Sequence, residues 1–303
     1  LSSSTKSLPV TCVFTRMARL LTLLNSQSLS TTDKTVTISL EGSDDALTQS
    51  LTEAVAQNIL VYVDNDPNPN TTITRELTEI KYTPEGDGVT KTSVTAKLVL
   101  KDFGTSSGKI KVVIPAEVLV DESGNKSDSK EHITEIVDFV KPTITNFVET
   151  KIDNDTMKYT FDVTEKYFDT TKDVKLEEND IIIKVADEDV TNTITKTLEL
   201  DEANSTSEVR KYVLTVSKFK DNGLSGTVKV TINANAITDQ YNNSNDVAEC
   251  IGTTLVDTIL PVYKYDYSGV AVTGTDGTAK LTVVFSAEDK NIDKANSTLG
   301  KPI

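Results

Sequence analysis

The chain has 303 residues, a net charge of −15, one histidine, two cysteines and no tryptophan. That charge excludes ordinary nucleic-acid binding, which needs clustered Lys and Arg to neutralise phosphates, and it leaves carboxylates available for divalent cations. No stretch reaches the ~20 consecutive apolar residues of a membrane span, so the sequence predicts no membrane insertion.

An apolar fraction of 37% and an aromatic fraction of 6% predict thin cores of Val, Ile and Leu, as two facing sheets allow. Residues 1–30 stand apart: they carry Lys6, Arg16 and Arg19 and no acid. The apolar run Met17–Leu24 is short and lacks a clear small-residue cleavage site, so the segment reads as a degenerate first strand or a fragment end. Cys12 and Cys250 lie too far apart in the chain to suggest a disulfide framework.

The first predicted unit spans residues 31–138. Thr35–Leu40, Ile59–Val63 and Val94–Leu100 are short, β-branched runs between turn residues, as strands require. Leu47, Leu51, Ala54 and Val55 follow helical spacing, with Ser43, Asp44 and Asp45 placed to cap a short helix. Ile110, Val112 and Ile114 alternate with Lys109, Lys111 and Val113, the period of a strand with one buried face. Lys130–Val137, carrying the sole histidine, His132, reads as the last strand.

The second predicted unit spans residues 139–257, with strands at Lys158–Val163, Ile181–Val185, Tyr212–Val216 and Gly226–Ile232. A charged stretch, Lys172–Glu178, takes the place of the first unit's helix. From residue 258 to 303 a third domain begins: alternating Tyr263, Tyr265 and Tyr267, a turn at Gly274–Gly277, and a strand at Lys280–Phe285. Two strands do not make an independent domain, so the natural chain is expected to continue.

The units repeat in register. Gly108–Ile114 with Asp121 and Asn125 recurs as Gly226–Ile232 with Asp239 and Asn243, at an interval of 118 (226 − 108 and 243 − 125). Val137-Asp138 with Pro142 recurs as Val256-Asp257 with Pro261, at an interval of 119 (256 − 137). Solenoid repeats run about 20–50 residues, so a period of this length is one whole domain. The Pro-containing joints are short and apolar, which predicts a strand-to-strand handover and a semi-rigid rod.

These residues resemble a known family. The Val-Asp-x-x-x-Pro joint is similar to the boundary between bacterial Ig-like repeats. Val228–Ile232, Ala236–Asp239 and Asn242-Asn243 resemble that family's final hairpin, and Asp121–Asn125 comes closer still at the turn. The resemblance covers residues 31–303. It implies an all-β fold of tandem immunoglobulin-like β-sandwiches, with the short helix in the first. It also implies an extracellular, cell-surface or secreted setting, a stalk or adhesin role, and neighbouring repeats, host or cell-surface proteins or glycans as partners.

No nucleophile motif accompanies His132, which reads as a sheet-face residue. Asp44-Asp45, Glu177-Glu178 and Asp187–Asp189 read as loop charge, since a glycosidase needs two acids across an aromatic-walled cleft. Asp121, Asn125, Asp239 and Asn243 are the metal candidates: they repeat hard oxygens at matching loop positions, as calcium prefers, with Asp64–Asp66 and Asp187–Asp189 at related turns. Asp and Asn are equally the ordinary residues of turns. Tyr263, Tyr265 and Tyr267 fit either an aromatic platform for sugars or a packed surface. The sequence thus predicts a non-catalytic structural or adhesion module, with no cofactor other than calcium. Its alternatives are a sandwich binding carbohydrate or calcium and an accessory module of a larger extracellular enzyme.

Overall fold

The computed structural model describes residues 21–169, 176–274 and 280–292. It divides into two compact units between Val140 and Lys141. Cys12, Met17–Leu20, Lys172–Lys175 and the turn residues Thr275–Gly277 lie outside the described residues.

Among the described residues, seven strands build the first unit: β1 (Leu21–Ser30), β2 (Thr35–Leu47), β3 (Leu60–Val63), β4 (Thr74–Thr83), β5 (Lys91–Lys101), β6 (Gly108–Ile114) and β7 (Lys130–Val137). They form two antiparallel sheets, β1-β2-β5-β4 and β3-β6-β7. Period-two alternation gives each strand one apolar face, and the two apolar faces cover each other. Val36, Ile38 and Leu40 of β2 and Leu98 and Leu100 of β5 share one core with Val61, Ile110, Val112 and Ile114 from the other sheet. All of these are at most 1% exposed, which is how a chain poor in aromatics still makes a dry interior. β1 falls inside the segment set apart at 1–30, and it pairs along β2 from Leu21 opposite Gly42 to Ser30 opposite Thr35.

The helix is where the sequence reading needs correction. Ser43, Asp44 and Asp45 do not cap the helical turn; they lie on β2, which runs on to Leu47. The helical turn is a 3-10 segment, Glu53–Asn58, entered from Thr52 without a side-chain cap. Leu47 and Leu51 are buried as the spacing suggested, but Ala56, not the exposed Ala54, is the buried residue within the turn. The hydroxyl of Tyr82 on β4 accepts from the Leu51 backbone N–H at 2.8 Å and fixes the approach to this turn.

The second unit holds β8 (Thr143–Lys151), β9 (Thr156–Thr164), β10 (Ile181–Val185), β11 (Glu188–Asp189), β12 (Thr195–Leu200), β13 (Val209–Ser217), β14 (Ser225–Ile232), β15 (Ala248–Asp257), β16 (Val262–Thr273) and β17 (Lys280–Glu288). Its sheets are β12-β13-β9-β8, β11-β10-β14-β15 and the pair β16-β17. Met157, Tyr159, Phe161 and Val163 of β9 face Ile181, Ile183, Val228, Val230 and Ile232 across the core. In both units the first sheet is two hairpins joined through their inner strands: β2 to β5, and β9 to β13.

Two glycines repeat for a steric reason. Gly108 and Gly226 have φ of +139° and +154°, and a Cβ there would lie 2.8 Å from Asp64 Cβ and 2.7 Å from Ala186 Cβ. Only glycine lets the start of β6 or β14 pass so close to the turn that follows β3 or β10.

Each joint is tied to the sandwich before it. Asp138 Oδ1 accepts from the Val140 N–H at 3.0 Å, and Asp257 Oδ1 accepts from the Ile259 N–H at 3.2 Å. Phe139 is buried edge-on against Phe103, with ring centroids 5.2 Å apart. At the matching place Thr258 donates its hydroxyl to the carbonyls of Phe219 (3.2 Å) and Leu224 (2.8 Å).

Candidate functional site

The closing loops after β6 and β14 carry the four residues singled out for calcium. In the first unit the loop is a small hairpin: Glu117 N–H bonds to Ser127 O, Ser127 N–H to Leu119 O, and Asp121 N–H to Asn125 O. In the second, Asn235 bonds to Asn245, Asn245 to Ile237, and Asp239 to Asn243 in the same sense. Left-handed residues recur with them, at Glu117 and Gly124 and again at Asn235 and Asn242. Each loop is also held down by a bridge, from Leu47 at the end of β2 to Asp121 and from Phe168, in the segment after β9, to Asp239.

Within each loop the structure brings the acid and the amide together. Asp121 Oδ1 accepts from the Asn125 backbone N–H at 2.7 Å, and Oδ2 accepts from the Asn125 side-chain amide at 2.7 Å. Asp239 Oδ1 accepts from the Tyr241 and Asn243 backbone N–H groups at 2.7 and 2.8 Å, and Oδ2 from the Asn243 amide at 2.7 Å. Both aspartates are buried, at 4% and 0% exposure. The Asn125 amide, helped by backbone N–H groups of residues 123–125, holds the Asp121 carboxyl below the usual carboxylate range despite its burial. These are Asx-type turn clasps, and one pair serves each unit.

Several of the other acids flagged by the sequence serve backbone donors. Asp44 Oδ1 accepts from Ala46 N–H at 3.1 Å, Asp66 Oδ1 from Asn68 N–H at 2.9 Å and Asp189 Oδ1 from Thr191 N–H at 3.0 Å, each in a local turn. Glu178 Oε1 accepts from Leu198 N–H at 3.2 Å, on β12. His132 stands on β7 opposite Val112, half-buried, and burial pushes its pKa down. Tyr263 is 62% exposed on β16; the side chains of Tyr265 and Tyr267 lie outside the description.

Two acidic positions escaped the sequence reading. In the second unit Glu165, directly after β9, is 3% exposed, and it offers a carboxylate oxygen within 4.8 Å of one on Asp239. The Tyr167 N–H bonds to Glu165 Oε1 at 2.7 Å. The only signal in the sequence was an acid placed immediately beyond an apolar strand. The second position is Glu149 on β8. Its Oε1 accepts from the N–H and hydroxyl of Thr253 (2.7 and 3.0 Å) and of Thr254 (3.0 and 3.1 Å). These threonines sit in a bulge of β15, where Thr227 pairs with Leu255 but Lys229 pairs with Ile251. In the first unit the matching bulge is filled by Thr134, whose hydroxyl accepts from Ile110 N–H at 3.0 Å.

Among the described residues, no helix is long and apolar enough to cross a membrane. No protein-family model matches the chain, and no curated protein matches it either.

Proposed function

We propose that this chain is a non-catalytic structural or adhesion module, a run of tandem sandwiches of the Ig-like type from an extracellular surface protein. One observation carries the reading: the closing loop recurs bond for bond at an interval of 118, down to the Asp–Asn clasp and the left-handed residues. A chain that repeats its framework so closely keeps its architecture above any single pocket. The joints support the same reading, since each Asp caps its own exit turn and the next residue is anchored in the preceding sandwich. Fold by itself does not fix function, so the surface role is tested in the cell. Antibodies raised against the chain are expected to label intact cells of the source organism. Labelling that appears only after lysis contradicts the reading.

A second reading is divalent-cation binding in the second unit. It is favoured by the buried carboxylates of Glu165 and Asp239 within 4.8 Å of each other, because like charges this close are relieved by a cation between or beside them. Calcium added to chelator-treated protein then raises the melting temperature, and Glu165→Gln removes that increase. An unchanged midpoint rejects the reading.

A further inference from the structure

The second sandwich closes one of its open sides through side chains. β8 is an edge strand of one sheet and β15 an edge strand of the other. Among the described residues no backbone hydrogen bond joins the two. Instead, Cys250 Sγ lies 3.9 Å from Phe147 O, and Lys151 Nζ donates to Leu255 O at 2.8 Å. Between these contacts Glu149 Oε1 takes the backbone and hydroxyl donors of Thr253 and Thr254. Residue numbers rise together along both strands, so β8 and β15 run parallel where they meet.

A glycine makes room for the acid. A Cβ on Gly252 would collide with Glu149 Oε2 and with Val228 O, so only glycine lets the carboxylate seat against the β15 bulge. The first sandwich has Thr134 at the matching position, at the repeat interval of 118 (252 − 134). The Thr134 hydroxyl stays within its own sheet, where it accepts from Ile110 N–H. The contact from Glu149 to the opposite sheet therefore depends on two residues of the second unit, the acid at 149 and the glycine at 252.

Chain connectivity sets the direction in which this contact is loaded. Residues 138–142 deliver the chain to the start of β8, and residues 257–261 lead it away from the end of β15. Tension along the chain draws on β8 at its Thr143 end and on β15 at its Asp257 end. In a parallel pair those are opposite ends, so the load slides the strands past one another. Sliding loads every cross-strand contact at once, whereas peeling breaks them one at a time. The bonds to the Glu149 carboxylate are also charge-assisted, roughly twice as strong as neutral ones. We propose that Glu149, seated against Gly252, is a mechanical clamp tying the incoming strand of the second sandwich to its outgoing strand. The clamp rests on the structural-module reading above, since it serves a chain that bears load.

Stretching the full chain at constant force tests the clamp through the lifetime of each sandwich, because forced unfolding follows the unfolding rate. Glu149→Ala is expected to shorten one lifetime roughly tenfold and to leave the other at its wild-type value. Glu149→Gln keeps one acceptor oxygen and is expected to fall between Glu149→Ala and wild type. Leu214→Ala is the control: it opens a cavity beneath β13, off the load route, and lowers the melting temperature at least as far. Its lifetime under load is nonetheless expected to shorten less than that of Glu149→Ala. Melting curves show that each variant is folded. A lifetime unchanged by Glu149→Ala overturns the proposal, as does one shortened no more than by Leu214→Ala. The clamp is read on isolated protein and the surface role on intact cells, so either fails without the other.

Discussion

Asp239 grips Asn243 at both ends: Oδ1 takes the backbone N–H at 2.8 Å and Oδ2 takes the side-chain amide at 2.7 Å. Asp121 grips Asn125 in the same way, at 2.7 Å and 2.7 Å. The repeat is therefore conserved at the level of individual donors and acceptors, and the loop that closes each sandwich is a bonded unit.

Removing that clasp takes a buried acceptor away from half-buried donors. Asp239→Ala deletes the fully buried carboxylate that three N–H groups of Tyr241 and Asn243 share, and it is expected to destabilise the second unit by about 2–4 kcal/mol. Urea denaturation followed by a probe in each unit checks this. The loss belongs to the second unit, with the first unit's midpoint unchanged.

Close backbone approach makes Gly108 and Gly226 a matched pair of tests. Alanine at either position meets both a left-handed φ and a Cβ contact under 3 Å. Each substitution is expected to cost about 2–3 kcal/mol in its own unit, and the two costs are expected to add. Thermal melts of the two single variants and the double variant measure it.

Glu149 gives the second unit a dependence on acid. Burial pushes its carboxyl up, but the four hydrogen bonds from Thr253 and Thr254 outweigh burial and leave the pKa lowered. A lowered folded pKa means the contribution is present above the unfolded glutamate value of about 4.3 and is lost as pH falls through the folded value. Stability of the second unit is therefore expected to decline below about pH 4.3. Glu149→Gln is expected to be less stable at pH 7 and to lose that part of the decline, as denaturation midpoints from pH 3 to 7 will report.

Cys250 is a core residue of β15, 9% exposed, and burial together with the nearby Glu149 charge pushes its thiol pKa up. In a Cys12→Ser background it is expected to react with a thiol reagent only as fast as the second unit opens. Labelling kinetics across a urea series check this; rapid labelling without denaturant contradicts it.

The sequence made the central strands legible because both sheets bury their alternate residues completely. Ile181–Val185 and Gly108–Ile114 have the bounds that alternation predicts. Two edge strands were silent for the complementary reason: β8 buries none of its nine residues and β12 none of its six, so no alternation marks them. The apolar spacing of Leu47, Leu51, Ala54 and Val55 imitated a helix because a strand end and a loop each contributed one residue to it and a 3-10 turn contributed two. The Asp–Asn pairs were visible as a repeat, but their mutual clasp was visible only in space. Glu149 had no signal at all, since Thr253 and Thr254 lie 104 and 105 residues away.

Pulling the full chain between its ends is the measurement closest to the central claim of tandem, mechanically separate sandwiches. The account predicts two cooperative unfolding events, each releasing roughly 400 Å, the 118-residue repeat at about 3.4 Å per residue. Asp239→Ala lowers the force of one event and leaves the other unchanged. A single event releasing the summed length, or a smooth extension with no repeated step, contradicts the account.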